Sequence, residues 1–483
     1  MHFSISFAME DRLKKLQAIK DLGINAYPYK FERTHTFGQV VQDFEALSKS
    51  ETVVATGGRI LAIRGHGKTV FATLGDENAF IQIYLRQDTL NEKFPLFGHF
   101  DIGDFIGVNG KVFKTQTGEI TILVEQFVML AKALRPLPEK WHGLKDIEIR
   151  YRKRYLDLIV NHEIRGIFKK RTKLIFLIRK FFDDQGFIEM ETPVLQPIYG
   201  GAAARPFTTH YNALAQDMFL RIADELYLKR LIAGGYEKVY EVCRDFRNEG
   251  IDRFHNPEFT MIEAYQAYTD YEGIMELVES LIEFLLESLH GSKILKYNEK
   301  EIEFKRPFKR IKYAESLSHR LGFDILACKE DDLNVACKAS GIDYEKITRG
   351  AKVDKLFSEL VRKNLMEPTF VIDYPKIISP LAKIHRNDDR LVERFQFFMF
   401  GFELANAFSE LNDPIEQRKR FEDQLAQKEE GIGEIDEDFI EALEYGMPPT
   451  GGLGIGVDRL CMILLDQHSI RDVILFPQLR KEL

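Results

Sequence analysis

Two hydrophobic periods run along this chain, and the change from one to the other divides it. From Glu10 to Leu22 apolar residues recur at helical spacing, with Leu13, Leu16 and Ile19 on one side and Lys14, Lys15 and Lys20 on the other, and Gly23 closes the segment. Between Thr52 and Leu130 the period falls to two. Five short alternating segments, GRILAIRG, TVFATLGD, AFIQIYLR, FIGVNGKVF and EITILVEQF, are separated by Gly and Asp turns, a spacing that predicts a small Greek-key barrel of the OB type. The stretch LRPLPEKWHGLKD, with two prolines and the only tryptophan, Trp141, then marks a domain boundary. The expected division is a lead-in with its helix over 1–50, a barrel over 51–134, a linker over 135–153 and a second domain over 154–483.

In the second domain a long helix is predicted from about Glu163 to Asp184, ended at Gly186, and leads into FIEMETPVLQP. Two alternating strands follow, Val239 to Phe246 and Phe259 to Tyr265, joined by a polar loop holding Gly250, Asp252, Arg253, His255, Asn256 and Pro257. Residues 271 to 390 read as largely helical, with Leu277, Ile282, Leu285 and Leu286 on one side of the first helix and an inserted helical region at about 290–390. The strand-like RFQFFMFGFELANAFSELNDP comes next, then an acidic, solvated helix over 429–444. Last is PPTGGLGIGVDRLCMILL, a glycine-rich strand running into an apolar helix.

Parity turns this outline into candidate chemistry. Arg247 and Glu249 share odd numbering, and if the sheet continues across the loop, Glu263 and Tyr265 lie on the matching face. One face then carries an arginine, two carboxylates and a phenol. Arginine binds a phosphate or carboxylate through paired hydrogen bonds, Arg253 and His255 extend that reach, and Phe259 offers a ring to a base. A charged hairpin with a solvated side is the plain alternative for any one of these residues. The segment IYGGAAARPFTTH places Gly200 and Gly201 where backbone can approach a ligand, although a tight turn explains two glycines equally well.

Composition narrows the class. The 483 residues are 45% hydrophobic and 29% charged, which suits two or three soluble domains. The longest apolar runs, such as Cys461 to Leu465, fall far short of the roughly 20 residues of a membrane helix. With no secretory pattern in MHFSISFAMEDR, no membrane partner and a cytoplasmic location are expected. Four cysteines without a CxxC pair suggest neither a disulfide framework nor a zinc site. A net charge of −8 argues against indiscriminate coating of nucleic acid, yet residues 132–173 hold thirteen Lys or Arg against five acids. Such a run is most often a solvated face and also suits phosphate contacts.

The order FRNEG, HNPEFT and E-x-Y resembles motif 2 of the class II aminoacyl-tRNA synthetases, and in detail the lysyl-tRNA synthetases of bacterial type. FIEMETPVLQP resembles motif 1 and PPTGGLGIGVDRLCMILL motif 3, while RGHGKTVFATLGD, IQIYLR and KTQTGEI resemble the family's anticodon-binding barrel, so that nearly the whole chain is covered. The resemblance implies an α+β protein, an OB barrel followed by an antiparallel sheet flanked by helices, that activates L-lysine with ATP and transfers it to tRNA(Lys). It implies a homodimer through motif 1 and Pro193. Arg247 and Arg459 would be catalytic. ATP would be held by Arg247, Glu249, Arg253, His255, Asn256, Phe259, Glu403 and Arg459, and lysine by Gly201, Glu225, Arg247, Glu263, Tyr265, Asn406 and Glu410. Phe71, Gln82 and Glu119 would read the anticodon.

Magnesium would sit at the positions of Gln396 and Glu403, with Glu410 a third candidate. Gln396 departs from the family, which has a carboxylate there, so this site loses a charge. On a regular strand Glu403 would face away from Asn406 and Glu410, and all three line one pocket only if a bulge or bend intervenes. Three other readings compete: an aspartyl or asparaginyl sister, a catalytically impaired nucleic-acid-binding or regulatory relative, and an enzyme that lysylates protein. Two acids in the side-chain pocket speak against the first, the remaining ligand set against the second, and the barrel against the third.

Overall fold

A computed structural model of the chain describes residues 7–138, 144–426 and 434–481. Trp141 and residues 429–433 of the acidic stretch lie outside them. The chain divides into two units, Met1–Lys145 and Asp146–Leu483.

In the first unit, α1 (Phe7–Asp21) precedes five strands, β1 (Val53–His66), β2 (Thr69–Gly75), β3 (Phe80–Arg86), β4 (Phe105–Lys114) and β5 (Ile120–Ala131). They close into a barrel in the order β1-β2-β3-β5-β4. Alternation is the cause: Ile60, Leu74, Ile83, Val108 and Ile122 point inward and are buried together. In α1 Leu16 and Ile19 are buried as expected, but Leu13 is exposed and Arg12 is buried instead. The Arg12 guanidinium donates to the carbonyls of Ile102 and Ala133 at 2.9 and 2.8 Å, which satisfies a charge that helical periodicity assigns to solvent.

The second unit is built on one twisted sheet. Its strands are β6 (Ile188–Glu189), β7 (Lys238–Phe246), β8 (Glu258–Ala267), β9 (Lys309–Lys312), β10 (Thr369–Pro375), β11 (Asp388–Met399), β12 (Phe402–Ser409) and β13 (Thr450–Gly456). They lie in the order β9-β10-β11-β12-β13-β8-β7-β6. The centre is antiparallel and the pairs at either edge are parallel.

Even-numbered residues of β7 and β8, such as Tyr240, Ile262 and Ala264, join Leu453 and Ile455 of β13 in a core covered by the helices α2 (Glu163–Asp184) and α4 (Tyr271–His290). Leu174, Ile178, Phe182, Leu281 and Leu285 supply the helical side of that layer. The odd face of β7 and β8 looks the other way, toward α3 (Glu225–Ala233) and α5 (Arg349–Leu360). β13 obeys the same rule. Leu453 and Ile455 fill the core, and Gly452, Gly454 and Gly456 leave the opposite face bare.

The region expected to be a helical insertion is mixed. Strands Ile294–Tyr297 and Lys300–Glu303 form a hairpin, and β9 and β10 join the main sheet. Lys309–Lys312 and Thr369–Pro375 are too short to show a period apart from the helices around them, and the partner that makes them strands is remote in sequence.

Candidate functional site

The bare face of the sheet floors a cleft of about 1010 Å³ within the second unit. The motif strands pair with Glu241 opposite Glu263 and Asp245 opposite Phe259, so the odd residues do share one face. Arg247 lies one residue past β7. Its backbone N–H donates to Pro257 at 2.8 Å, closing the polar loop, and its guanidinium stands 5.1 Å from the Phe259 ring centre.

One end of the cleft is acidic and dry. Glu225, Glu263, Tyr265 and Glu410 line it, all buried. The Tyr265 hydroxyl donates to Glu263 at 2.9 Å. Lys229, one turn along α3 and fully buried, bridges Glu225 at 3.0 Å and Glu410 at 2.6 Å. Burial pushes the Glu410 carboxyl up to about 8; Lys229 pulls it back and Glu225 adds to the rise. Burial likewise raises Glu225 and raises Glu263 well above the carboxylate range, the latter helped by Asp224 and Asp245. One ammonium therefore stands among several carboxyl groups, a place suited to a second cation.

Two glycines make room there. Gly201 has φ +86°, and a Cβ on it would stand 3.0 Å from Ala223 and 3.3 Å from Glu225. A Cβ on Gly452 would lie 1.8 Å from Glu410 Oε1 and 2.6 Å from the Tyr265 ring.

The other end is cationic. Arg459 begins the helix α6 (Val457–Leu464), donates to the Glu403 carbonyl at 3.2 Å and lies 3.2 Å from His255 Nε2, whose Nδ1 is 2.8 Å from Asp252. Burial lowers the Arg459 pKa, Glu403 counters this, and Arg362 and Arg247 add to it, so three arginines converge without enough carboxylate between them. Arg362 and Asp354, both from the inserted region, line this end and sequence reasoning missed them. Asp354 lies on α5 and Arg362 in the short turn Arg362–Asn364 after it, and neither segment gave a periodic sign of a cleft-facing side.

The remaining expected residues stand as follows in the structure. Arg253 does not line the cleft; it donates to the His468 carbonyl at 3.1 Å and lies over the Phe254 ring. Asn256 borders the cleft, but its amide is committed to the chain, donating to the Glu258 carbonyl at 2.6 Å and accepting from the Gln478 N–H at 3.2 Å. Glu225 is buried, not the exposed helix acid its amphipathic segment suggests. Glu410 is tied to Lys229 at the acidic end, at 2.6 Å. Glu249 borders the cleft and is exposed.

The bulge required by parity is present. Ala405 pairs with Phe397 but Glu403 with Phe398, leaving Leu404 as the extra residue, and Glu403, Asn406 and Glu410 all line the cleft. Asn406 accepts from Arg394 at 2.9 Å. Gln396 shares Glu403's end of the cleft, its amide oxygen accepting from the Tyr374 hydroxyl at 2.6 Å. Asp354 also lines that end; partial burial raises its carboxyl, Arg394 opposes the rise and Glu403 adds to it.

In the barrel unit Phe71 stacks on Tyr84 with centroids 4.3 Å apart and planes 15° from parallel. Tyr84, which sequence reasoning missed, covers one face of the Phe71 ring. Gln82 lies on the same side of β3 as Tyr84 and accepts from Thr121 at 2.9 Å, and Glu119 is exposed just before β5.

Comparison with known proteins agrees with this arrangement. The family described as tRNA synthetases class II (D, K and N) matches residues 146–480, and the OB-fold nucleic acid binding domain matches residues 54–130. A relative from Carboxydothermus hydrogenoformans is 51% identical over 99% of this chain and 99% of its own length. One from Thermotoga maritima is 51% identical over 97% of the chain and 95% of its length, and one from Clostridium tetani 53% identical over 93% and 91%. Each of the three is named lysine–tRNA ligase. A family match over residues 146–480, joined to identities near half across nearly the full length, means that the chain belongs to the class II tRNA synthetases of the D, K and N group.

Proposed function

We infer that this chain is a lysine–tRNA ligase, which joins L-lysine to AMP with release of pyrophosphate and passes the lysyl group to the 3′ end of tRNA(Lys). The observation that carries the amino acid is the acidic end of the cleft. Glu263, Tyr265 and Glu410 are buried beside Asn406, and a lysine ammonium taken out of water needs carboxylates and acceptors of this kind. Glu225, at the first turn of α3, takes the α-ammonium, and Gly201 lets it approach.

In this reading Arg247 lies against Phe259 and bridges the lysine carboxylate and the α-phosphate, while Arg459 and His255 hold the outer phosphates and Phe259 supports the adenine. Arg362 adds a further cation, and Glu249 stands at the rim. No nucleophilic side chain is required. Holding the carboxylate in line with the phosphorus and drawing off charge on the pyrophosphate accomplishes the step.

The donors around Glu403 are all oxygens, the set a hard cation takes, and Mg2+ would be held by Glu403 and Gln396 with Asp354 at the same end supplying the charge that Gln396 lacks. Bound there with ATP, Mg2+ would neutralise phosphate charge. The outer face of the barrel at Phe71, Gln82 and Glu119 reads the anticodon, and a second copy packs at motif 1, where Ile188, Val194 and Leu195 are exposed.

The test is amino-acid-dependent exchange of pyrophosphate into ATP across the twenty amino acids, in the wild type and in Glu263→Gln and Glu410→Gln. Lysine alone should support exchange. Each substitution should cost about 10²- to 10⁴-fold in kcat/KM for lysine, from the ~3–5 kcal/mol lost when one partner of a buried charge pair is removed, with little change in KM for ATP. Exchange with aspartate or asparagine, or lysine kinetics unchanged in both variants, would overturn the assignment.

A further inference from the structure

Behind the wall of the acidic pocket, the strand β7 and the turn before α3 bring Asp224, Cys243 and Asp245 together, all of them buried. One donor atom of each lies within 4.8 Å of the other two. Cys243 Sγ stands 3.5 Å from Asp224 Oδ1 and 3.8 Å from Asp245 Oδ2. A tetrahedral centre with metal–sulfur and metal–oxygen distances of about 2.3 and 2.0 Å separates sulfur from oxygen by about 3.5 Å, so the three donors already stand close to coordinating distance.

Two further observations set this trio apart from an ordinary acidic cluster. Asp224 Oδ2 and Asp245 Oδ1 are buried without a hydrogen-bond partner. Carboxylates also outnumber cations here. Arg221 is engaged by Glu241 at 2.6 Å and reaches Asp245 only at 3.4 Å; Asp245 and Glu241 both repel the Asp224 carboxylate, which Glu263 hydrogen-bonds from the pocket side. Unpaired carboxylate in a dry interior is costly, and a thiol is too weak a donor to offset it.

We propose that Asp224, Cys243 and Asp245 bind a divalent transition cation of the zinc class, a structural ion separate from the metal that arrives with ATP. Two hard carboxylates and one soft sulfur suit a borderline cation and disfavour magnesium or calcium. On binding, the cysteine coordinates as thiolate and its proton leaves to solvent. The Met261 carbonyl, 3.6 Å from Sγ, is at hand as a fourth donor. The ion would stiffen the partition between Asp224 and Glu263 from behind. Sequence spacing gave no sign of it, because the three donors come from two elements and form no CxxC pair.

Metal content of the full chain, purified without added metal or nucleotide, tests the site by elemental analysis. About one zinc-class ion per chain is expected, retained in Glu403→Gln and lost in Cys243→Ser and Asp245→Asn. Reconstitution with cobalt(II) should give a sulfur-to-cobalt charge-transfer band in the wild type that Cys243→Ser lacks. Should the variants fold poorly, the wild-type content and cobalt spectrum decide alone. A chain free of transition metal that shows no cobalt band, or metal content unchanged in Cys243→Ser, would overturn the proposal; protons would then neutralise the carboxylates.

Discussion

The triad Glu225, Lys229 and Glu410 sets the charge balance at the acidic end of the cleft. Two buried acids face one ammonium, so one proton stays in the empty site until the pH nears the Glu410 value of about 8. A carboxyl raised from its usual 4.5 stabilises the fold when protonated, and that contribution is lost as pH rises toward about 8. The melting temperature of the empty protein should therefore fall over this interval, and the slope should flatten in Glu410→Gln. Bound lysine brings the missing cation, so kcat/KM for lysine should rise toward about pH 8 while that for ATP changes less. At Gly452 the expected loss is steric. A methyl group 1.8 Å from Glu410 Oε1 must displace that carboxylate, and Gly452→Ala should abolish lysine-dependent exchange while nucleotide binding, followed by calorimetry, persists. Glu263 was legible in the sequence through parity, whereas Glu225 and Glu410 were named only through the family resemblance. Lys229 was not legible, because a lysine in DELYLKRLIAGG reads as solvent-facing until the acid of a remote strand is placed against it.

At the scale of elements, helix α3 and strand β12 each put a charge where a regular pattern would not. In β12 the extra Leu404 turns Glu403 onto the face of Asn406 and Glu410. Parity set against the family resemblance, which puts the three residues in one pocket, called for that irregularity in advance. In α3 the first and fifth residues are a buried ion pair, which leaves the helix dependent on its partner Glu410. Lys229→Met should destabilise the empty protein by about 3–5 kcal/mol, because two buried carboxylates lose their counter-ion. Free lysine should raise the melting temperature of that variant more than that of the wild type, by returning an ammonium to the same carboxylates. Asp354, Arg362 and the strands β9 and β10 were illegible for a different reason. They belong to a segment whose local period is helical, and the sheet that recruits them is assembled from residues far away in the chain.

The whole molecule consists of two units with separate cores, and on the proposed function the barrel unit meets the anticodon while the second unit carries the activation chemistry. In the barrel, Phe71 rests on Tyr84, and on the proposed function its ring stacks on an anticodon base. Phe71→Ala should raise KM for tRNA(Lys) in the charging reaction by about 10- to 100-fold, from the ~1–3 kcal/mol of a lost base stack, and leave tRNA-independent exchange unchanged. Barrel and motif order were both legible because local alternation encodes them; the depth of the cleft was not, since it depends on what β13 leaves out. The room that a methyl group would find along that strand grows from 1.8 Å at Gly452 through 3.2 Å at Gly454 to 3.9 Å at Gly456. One strand is thus a graduated ruler, on which successive alanines would mark how far into the protein each part of a bound reactant extends.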